Sequence, residues 1–210
     1  MFHAMLVIAV LFTLLIAVRF LYANRVCIPR STHVSLLVVA GSGGHTTEIL
    51  RLLGSLSQSY SPRYYVLADS DKMSEDKICS FEQKRAETSP GSFFTLNRIP
   101  RSREVRQSWS SSVLTTIRSF LYSFPLTFRL KPDVVLCNGP GTCVPICLSA
   151  FLLRLLGIKR VTIVYVESVC RVENLSLSGK ILYHFSDHFF VQWPTLKEKY
   201  PRSHYLGRIV

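Results

Sequence analysis

Short apolar runs rich in β-branched and aromatic residues recur along the chain, at residues 36–40, 64–68, 134–137, 161–166 and 188–191. Each is short, continuous and bounded by turn-forming residues, which predicts strands buried on both faces. Between several of them the apolar spacing changes to that of a helix. Residues 45–56 carry Ile49, Leu50, Leu52, Leu53 and Leu56 at helical intervals, and 76–87 is polar enough for an exposed helix. Residues 110–130 are apolar on one side, with Pro125 expected to kink the helix, and 144–156 are nearly all apolar. Strands alternating with helices predict an α/β fold: a Rossmann-like parallel sheet with helices on both faces and ligands at the carboxyl ends of the strands.

Two strand-to-helix junctions are built from glycine. The first reads Gly41-Ser42-Gly43-Gly44-His45, the second Asn138-Gly139-Pro140-Gly141-Thr142. Glycine lets the backbone approach a ligand closely, and the free N–H groups of the following helix favour negative charge there. Both loops leave strands in the same direction, so they open on one side of the sheet and together suit a diphosphate. A dinucleotide site is the weaker reading. The third glycine of Gly-x-Gly-x-x-Gly is replaced by Thr46, and Asp69 after the next strand is a common feature of any α/β fold. A purely structural turn is the other alternative. Glu167 leaves the end of the 161–166 strand at the same edge, where a carboxylate can act as a base, orient a hydroxyl, or serve only as a loop acid.

The N-terminus changes the picture. Residues 4–23 are apolar apart from Thr13 and Arg19, about the length of one bilayer crossing. No Lys or Arg precedes the run, whereas Arg19, Arg25 and Arg30 end or follow it. This predicts a retained anchor at 1–24, a linker at 25–33 and a cytosolic body at 34–210. The net charge of +12 favours phosphorylated ligands or anionic lipid surfaces, and no nucleic-acid recognition motif accompanies it. Arg98, Arg101, Arg103 and Arg106 form a basic cluster suited to a membrane surface or to an ordinary solvated loop. Residues 110–130 mix aromatics with Arg118 and Arg129, which fits a helix at a bilayer surface as well as one packed on the sheet. The six cysteines lack a Cys-x-x-Cys pair or other metal-ligand spacing, so free thiols are expected, several of them in the core. Asn174-Leu175-Ser176 matches a glycosylation acceptor but would escape modification on the cytosolic side.

Four segments in order, Gly41-Ser42-Gly43-Gly44-His45-Thr46, Asn138-Gly139-Pro140-Gly141, Tyr165-Val166-Glu167-Ser168 and the closing Tyr205-Leu206-Gly207-Arg208-Ile209-Val210, closely resemble the family of membrane-anchoring subunits of the eukaryotic UDP-N-acetylglucosamine (UDP-GlcNAc) transferase of dolichol-linked oligosaccharide assembly. More distantly the chain resembles the N-terminal half of the bacterial transferase acting on the lipid-linked cell-wall precursor. The resemblance implies the acceptor-side half of a GT-B glycosyltransferase at the cytosolic face of the endoplasmic reticulum. A separate soluble subunit would bind UDP-GlcNAc, and the pair would add the second GlcNAc to GlcNAc-diphosphodolichol. By the same resemblance Gly41, Ser42, Gly43, Gly44, Asn138, Gly139, Gly141 and Thr142 would hold the acceptor diphosphate. His45 and Glu167 are the candidate bases, and neither a cofactor nor a metal is required. The chain stops where single-chain relatives continue into their second half, so Tyr205, Leu206, Gly207, Arg208, Ile209 and Val210 are expected to dock the partner. A receptor that only recruits a soluble enzyme, and a membrane-bound NAD-dependent oxidoreductase, are the competing functions.

Overall fold

The computed structural model describes residues 33–88, 91, 93–102, 107 and 109–210. The expected anchor at 4–23, nearly all of the linker, and Arg103 and Arg106 of the basic cluster lie outside them. No helix among the described residues is long and apolar enough to cross a membrane.

The strands are β1 (Leu36–Val39), β2 (Arg63–Ala68), β3 (Phe94–Ile99), β4 (Val134–Asn138), β5 (Thr162–Val166), β6 (His188–Val191) and β7 (His204–Tyr205). They form one parallel sheet in the order β3-β2-β1-β4-β5-β6-β7. The helices are α1 (Gly44–Gly54), α2 (Lys72–Thr88), α3 (Trp109–Leu130), α4 (Cys143–Leu155), α5 (Leu177–Leu182) and α6 (Pro194–Lys199). Alternate residues of the strands feed two cores, as a sheet covered on both faces requires. Leu36, Val38, Tyr65 and Leu67 meet Ile49 and Leu53 of α1 and Ile78 of α2. Leu37, Val39, Val135, Cys137, Ile163 and Tyr165 meet α4 and single residues of α5 and α6. Leu37, Val38 and Val39 are fully buried, each contributing about 1.5–3 kcal/mol relative to exposure.

Two strands escape the hydrophobic pattern. β3 is an edge strand that buries only Ile99 completely, and Arg98 interrupts it by reaching out to Glu75. β7 is two residues long and exposed, too short for any period to show. The helix expected at 76–87 begins four residues earlier. Asp71 starts it, its carboxylate accepting the backbone N–H (3.1 Å) and hydroxyl (2.6 Å) of Ser74. Pro125 lies inside α3, which remains one helix from Trp109 to Leu130. Pro125 has no N–H to donate to the carbonyl of Leu121, a residue on the exposed side.

The amphipathicity of α3 is inverted. Its buried side is Ser112, Ser119, Ser123 and Thr127, while Val113, Leu114, Ile117, Leu121, Tyr122 and Phe128 are 42–70% exposed. The buried hydroxyls of Ser123 and Thr127 donate to the carbonyls one turn back, at 2.7 and 2.8 Å. They are thereby satisfied inside the helix. Small side chains on this face let α3 lie close on α4 and leave most of its apolar residues facing outward, with Leu126 and Leu130 packed against the core.

Candidate functional site

The strand order reverses between β1 and β4, the switch point where open α/β sheets bind ligands. Both glycine loops emerge there. Gly43 precedes α1 with φ of +66°, a left-handed conformation that an L side chain adopts only with strain. Neither α1 nor α4 has a side-chain cap bond at its N-terminus, and neither has an acid in its first turn. The first N–H groups of α1 are left without a protein anion. At α4, Cys143 N and Val144 N donate to the carbonyls of Pro140 (3.1 Å) and Gly141 (3.2 Å) and Pro145 has no N–H, so the open donors lie at α1. Thr142, buried at the mouth of α4, adds a hydroxyl without a hydrogen-bond partner.

The loops are packed against each other through His45. A Cβ on Gly41 would stand 2.7 Å from Pro140 Cγ and 2.9 Å from His45 Cβ. A Cβ on Gly139, whose φ is +72°, would overlap the His45 ring. Two glycines are thus needed for close approach of protein to protein, not only of protein to ligand. Below them the hydroxyls of Thr46 and Ser74 meet at 2.6 Å, and both reach the Gly41 carbonyl. This fastens the first loop to the start of α2.

His45 sits between the loops, its side chain one-third exposed. Its Nδ1 lies 3.2 Å from Asn138 Oδ1 and 3.6 Å from Glu48 Oε2. Fully buried Asn138 donates its Nδ2 to the Val166 carbonyl at 3.3 Å, which turns Oδ1 toward His45. Nδ1 must therefore carry the proton of the neutral ring, and the free lone pair is on Nε2. The Glu48 carboxylate holds the imidazole above its usual range, against the burial that works to lower it. For Glu48 burial works upward, but contacts with His45, Ser168 and Asn138 hold the carboxyl below its usual range.

Glu167 takes a different place. It is fully buried and does not line the cavity described below. Its carboxylate accepts from Ser176 N (3.0 Å), Ser176 Oγ (3.1 Å) and Ser168 N (3.2 Å), and burial raises it above the ordinary carboxylate range. A Cβ on Gly179 would collide with it. The candidate base at the strand end is thus a strut that positions the β5–α5 connection and the N-cap serine of α5.

A cavity of about 650 Å³ opens over the two loops. Gly41, Ser42, His45, Gly139, Gly141 and Thr142 form its polar floor. Arg101 and Arg171 flank it, and Val113 and Ile117 of α3 face Leu177 and Ile181 of α5 across an apolar wall. Of the residues expected to hold a diphosphate, Gly43 and Gly44 lie outside the lining, and Asn138 sits beneath it as the partner of His45. Glu48 and Arg171 were not singled out in the sequence. The signal for Glu48 was its position three residues after His45, which puts both on one helix face; Arg171, in an irregular loop, carries no such signal.

The described cysteines are free thiols, as expected, and Cys137, Cys143 and Cys147 are buried in the core. Cys137 Sγ lies 3.4 Å from Cys147 Sγ, and Cys143 is buried with them on the α4 side of the sheet. Burial pushes the thiols of Cys137 and Cys143 up. Among the described residues no cluster of His, Cys, Asp and Glu is placed to hold a metal ion.

The closing segment is partly tied to its own domain. Ile209 donates its N–H to Gln192 Oε1 at 2.9 Å, Ile209 and Val210 pack on the α1–α2 core, and the Arg208 guanidinium stacks 4.1 Å from the Trp193 ring centroid. Tyr205 and Leu206 face outward, 40% and 69% exposed.

Gly139→Ala is a direct probe of this geometry. The left-handed φ costs about 1–2 kcal/mol, and the methyl group must displace the His45 ring. Binding of inorganic diphosphate in the cavity should weaken at least tenfold, with a modest loss of melting temperature. Gly54→Ala, in open space at the end of α1, should leave that binding unchanged.

The family model described as "Oligosaccharide biosynthesis protein Alg14 like" matches residues 36–209. The human UDP-N-acetylglucosamine transferase subunit ALG14 is 69% identical over 185 residues, covering 87% of this chain and 85% of the human one. The subunit of the same name from Yarrowia lipolytica is 44% identical over 207 residues, covering 98% and 94%. Among solved structures, MurG from Acinetobacter baumannii superimposes with a TM-score of 0.51 at 16% identity, which is a likeness of fold; the match covers 77% of this chain and 42% of the MurG chain. The chain belongs to the Alg14-like family of oligosaccharide biosynthesis proteins.

Proposed function

We propose that this chain is the acceptor-side, membrane-anchoring subunit of a two-subunit N-acetylglucosaminyltransferase. It holds GlcNAc-diphosphodolichol at the cytosolic face of the endoplasmic reticulum, while a soluble subunit presents UDP-GlcNAc. The product is the lipid-linked disaccharide. The observation that carries this reading is the meeting of the uncapped N-terminus of α1 with the second glycine loop at His45, in a cavity whose far wall is apolar and continues into the outward face of α3. An anion site at one end and an apolar surface at the other suit an amphiphile with a diphosphate head. Gly41, Ser42, Gly141 and Thr142 receive the diphosphate through backbone N–H groups and the Thr142 hydroxyl, with Arg101 and Arg171 beside it. His45 Nε2 takes the proton of the acceptor hydroxyl as that oxygen bonds the anomeric carbon and UDP departs. Residues 4–23 anchor the domain at 34–210 through a linker at 25–33, and the exposed apolar face of α3 rests on the lipid. The names of the relatives, each a transferase subunit, support the two-part assignment.

The outward half of the closing segment is the docking face on this reading. Membranes carrying this chain and its soluble partner should transfer labelled GlcNAc from UDP-GlcNAc to a polyprenyl-diphosphate-linked GlcNAc, and neither chain alone should do so. Leu206→Asp should release the partner into the soluble fraction and abolish transfer without changing the melting temperature, because Leu206 supports no core of its own. Retention of the partner would move the interface elsewhere. Failure of the paired chains to glycosylate the diphosphate acceptor would overturn the assignment, and a complex that keeps its activity without the cavity residues would favour a receptor that only recruits.

A further inference from the structure

Glu48 is buried on the first helix beneath His45, and only one of its oxygens is satisfied. Oε1 accepts the Ser168 hydroxyl at 2.8 Å. Oε2 is buried without a hydrogen-bond partner and lies 3.6 Å from His45 Nδ1, too long for a hydrogen bond. A half-satisfied carboxylate away from water is costly, and the cost falls when a positive charge appears beside it. The imidazole can supply that charge. In its neutral form Nδ1–H points to Asn138 Oδ1 at 3.2 Å, and Nε2 is free at the cavity. When Nε2 gains a proton the whole ring becomes cationic, and Oε2 is the nearest anionic atom.

We propose that Glu48 is the positioning residue of the transfer reaction, holding the His45 imidazolium that forms when the acceptor hydroxyl gives up its proton. The inference rests on the reading of His45 as the base. The proton leaves the acceptor oxygen for Nε2 while the new glycosidic bond forms and the bond to the UDP diphosphate breaks. Glu48 stays ionised throughout and touches neither substrate. Ser168, two residues past β5, and Asn138, the last residue of β4, tie the pair to the carboxyl ends of two strands. The other charged groups around the pair are Glu167, whose buried carboxyl also favours the imidazolium from β5, and Arg171, which faces Glu167. Arg101 lines the same cavity from the β3–α3 connection.

The test uses the active two-subunit complex. Glu48→Gln keeps size and the Ser168 contact but removes the charge. It should lower kcat about 10- to 100-fold at neutral pH, leave KM for the lipid acceptor within twofold, and move the acid limb of the kcat profile to lower pH. Glu48→Asp should restore part of kcat and most of the limb position. NMR of ring-labelled histidine in the wild-type complex supplies a readout that needs no variant: His45 should titrate above an ordinary exposed histidine. An unmoved acid limb in Glu48→Gln, or a wild-type His45 that titrates at or below the ordinary value, overturns the proposal. His45→Gln separates the two levels. If it is inactive while the Glu48→Gln profile is unmoved, only the part given to Glu48 fails; if it is active, the base assignment fails and takes the proposal with it.

Discussion

Replacing His45 by Ala should yield a complex that assembles normally and transfers N-acetylglucosamine about 10²–10⁴ times more slowly, the range of a lost general base. The partner should stay bound, because His45 lies at the switch point in the middle of the sheet whereas the outward residues proposed for docking, Tyr205 of β7 and Leu206 after it, lie at the sheet edge. KM for the diphosphate acceptor should change little, since the glycine-loop backbone that receives it is unchanged. The wild-type pH profile carries the same information. The base works as neutral imidazole, and the Glu48 carboxylate raises its proton affinity above that of an ordinary histidine, whose value is 6.5. Activity should therefore fall as pH drops through a value above 6.5, and this limb should be missing from the residual activity of His45→Ala. The substitution also leaves Glu48 buried without its neighbour, so melting measurements should accompany the rates. A variant that folds, retains its partner and keeps full kcat would remove His45 from the chemistry.

The two glycine loops were legible in the sequence because their residues state their own backbone geometry. Gly41, Gly43 and Gly139 sit between apolar strands and helices, and few other local structures use that pattern. What the sequence did not disclose is which close approach each glycine permits. Gly41 and Gly139 admit Pro140 and His45, a long-range contact across the β1–β4 switch that no local pattern encodes. The same limit explains Glu167 and Asn138. Each stands at a strand end facing the site edge, yet whether a side chain turns into the cavity or beneath it depends on partners such as Ser176 and Val166 on other elements.

The helix α3 shows a second kind of limit. Its one-sided apolar pattern is unmistakable, but periodicity does not say which side faces the protein. Helices on a sheet usually turn their apolar stripe inward. Here small hydroxyl residues bond back to their own helix and pack on α4, and the apolar stripe points away. β3 was missed because an edge strand with Arg98 and Asn97 has no continuous apolar run, and its pairing with β2 is supplied by the sheet already formed beside it.

The largest loss of stability is expected far from the chemistry, at Arg63→Met. Arg63 opens β2 and its guanidinium is buried against Glu82 of α2, donating from Nε and Nη2 to both carboxylate oxygens and from Nη1 to the Tyr60 carbonyl at 3.1 Å. Tyr65 donates its hydroxyl to the same carboxylate; burial, with the Glu82 charge beside it, pushes that phenol well above its usual range. A buried pair adds little net stability compared with apolar residues of the same volume, but removing one partner strands a charge and costs about 3–5 kcal/mol. For a domain of this size the loss corresponds to a fall in melting temperature of roughly 10 °C. The cost should reach the active site, because α2 is held at its other end by Asp71 and Ser74, which support the Gly41 carbonyl under the first glycine loop. The paired replacement Arg63→Met with Glu82→Leu removes the stranded carboxylate. It should recover most of the melting temperature, leaving only the unmet Tyr65 hydroxyl and Tyr60 carbonyl. Thermal denaturation of the single and double variants decides it: if the double variant melts no higher than the single, the loss comes from packing around the guanidinium and not from the buried charge.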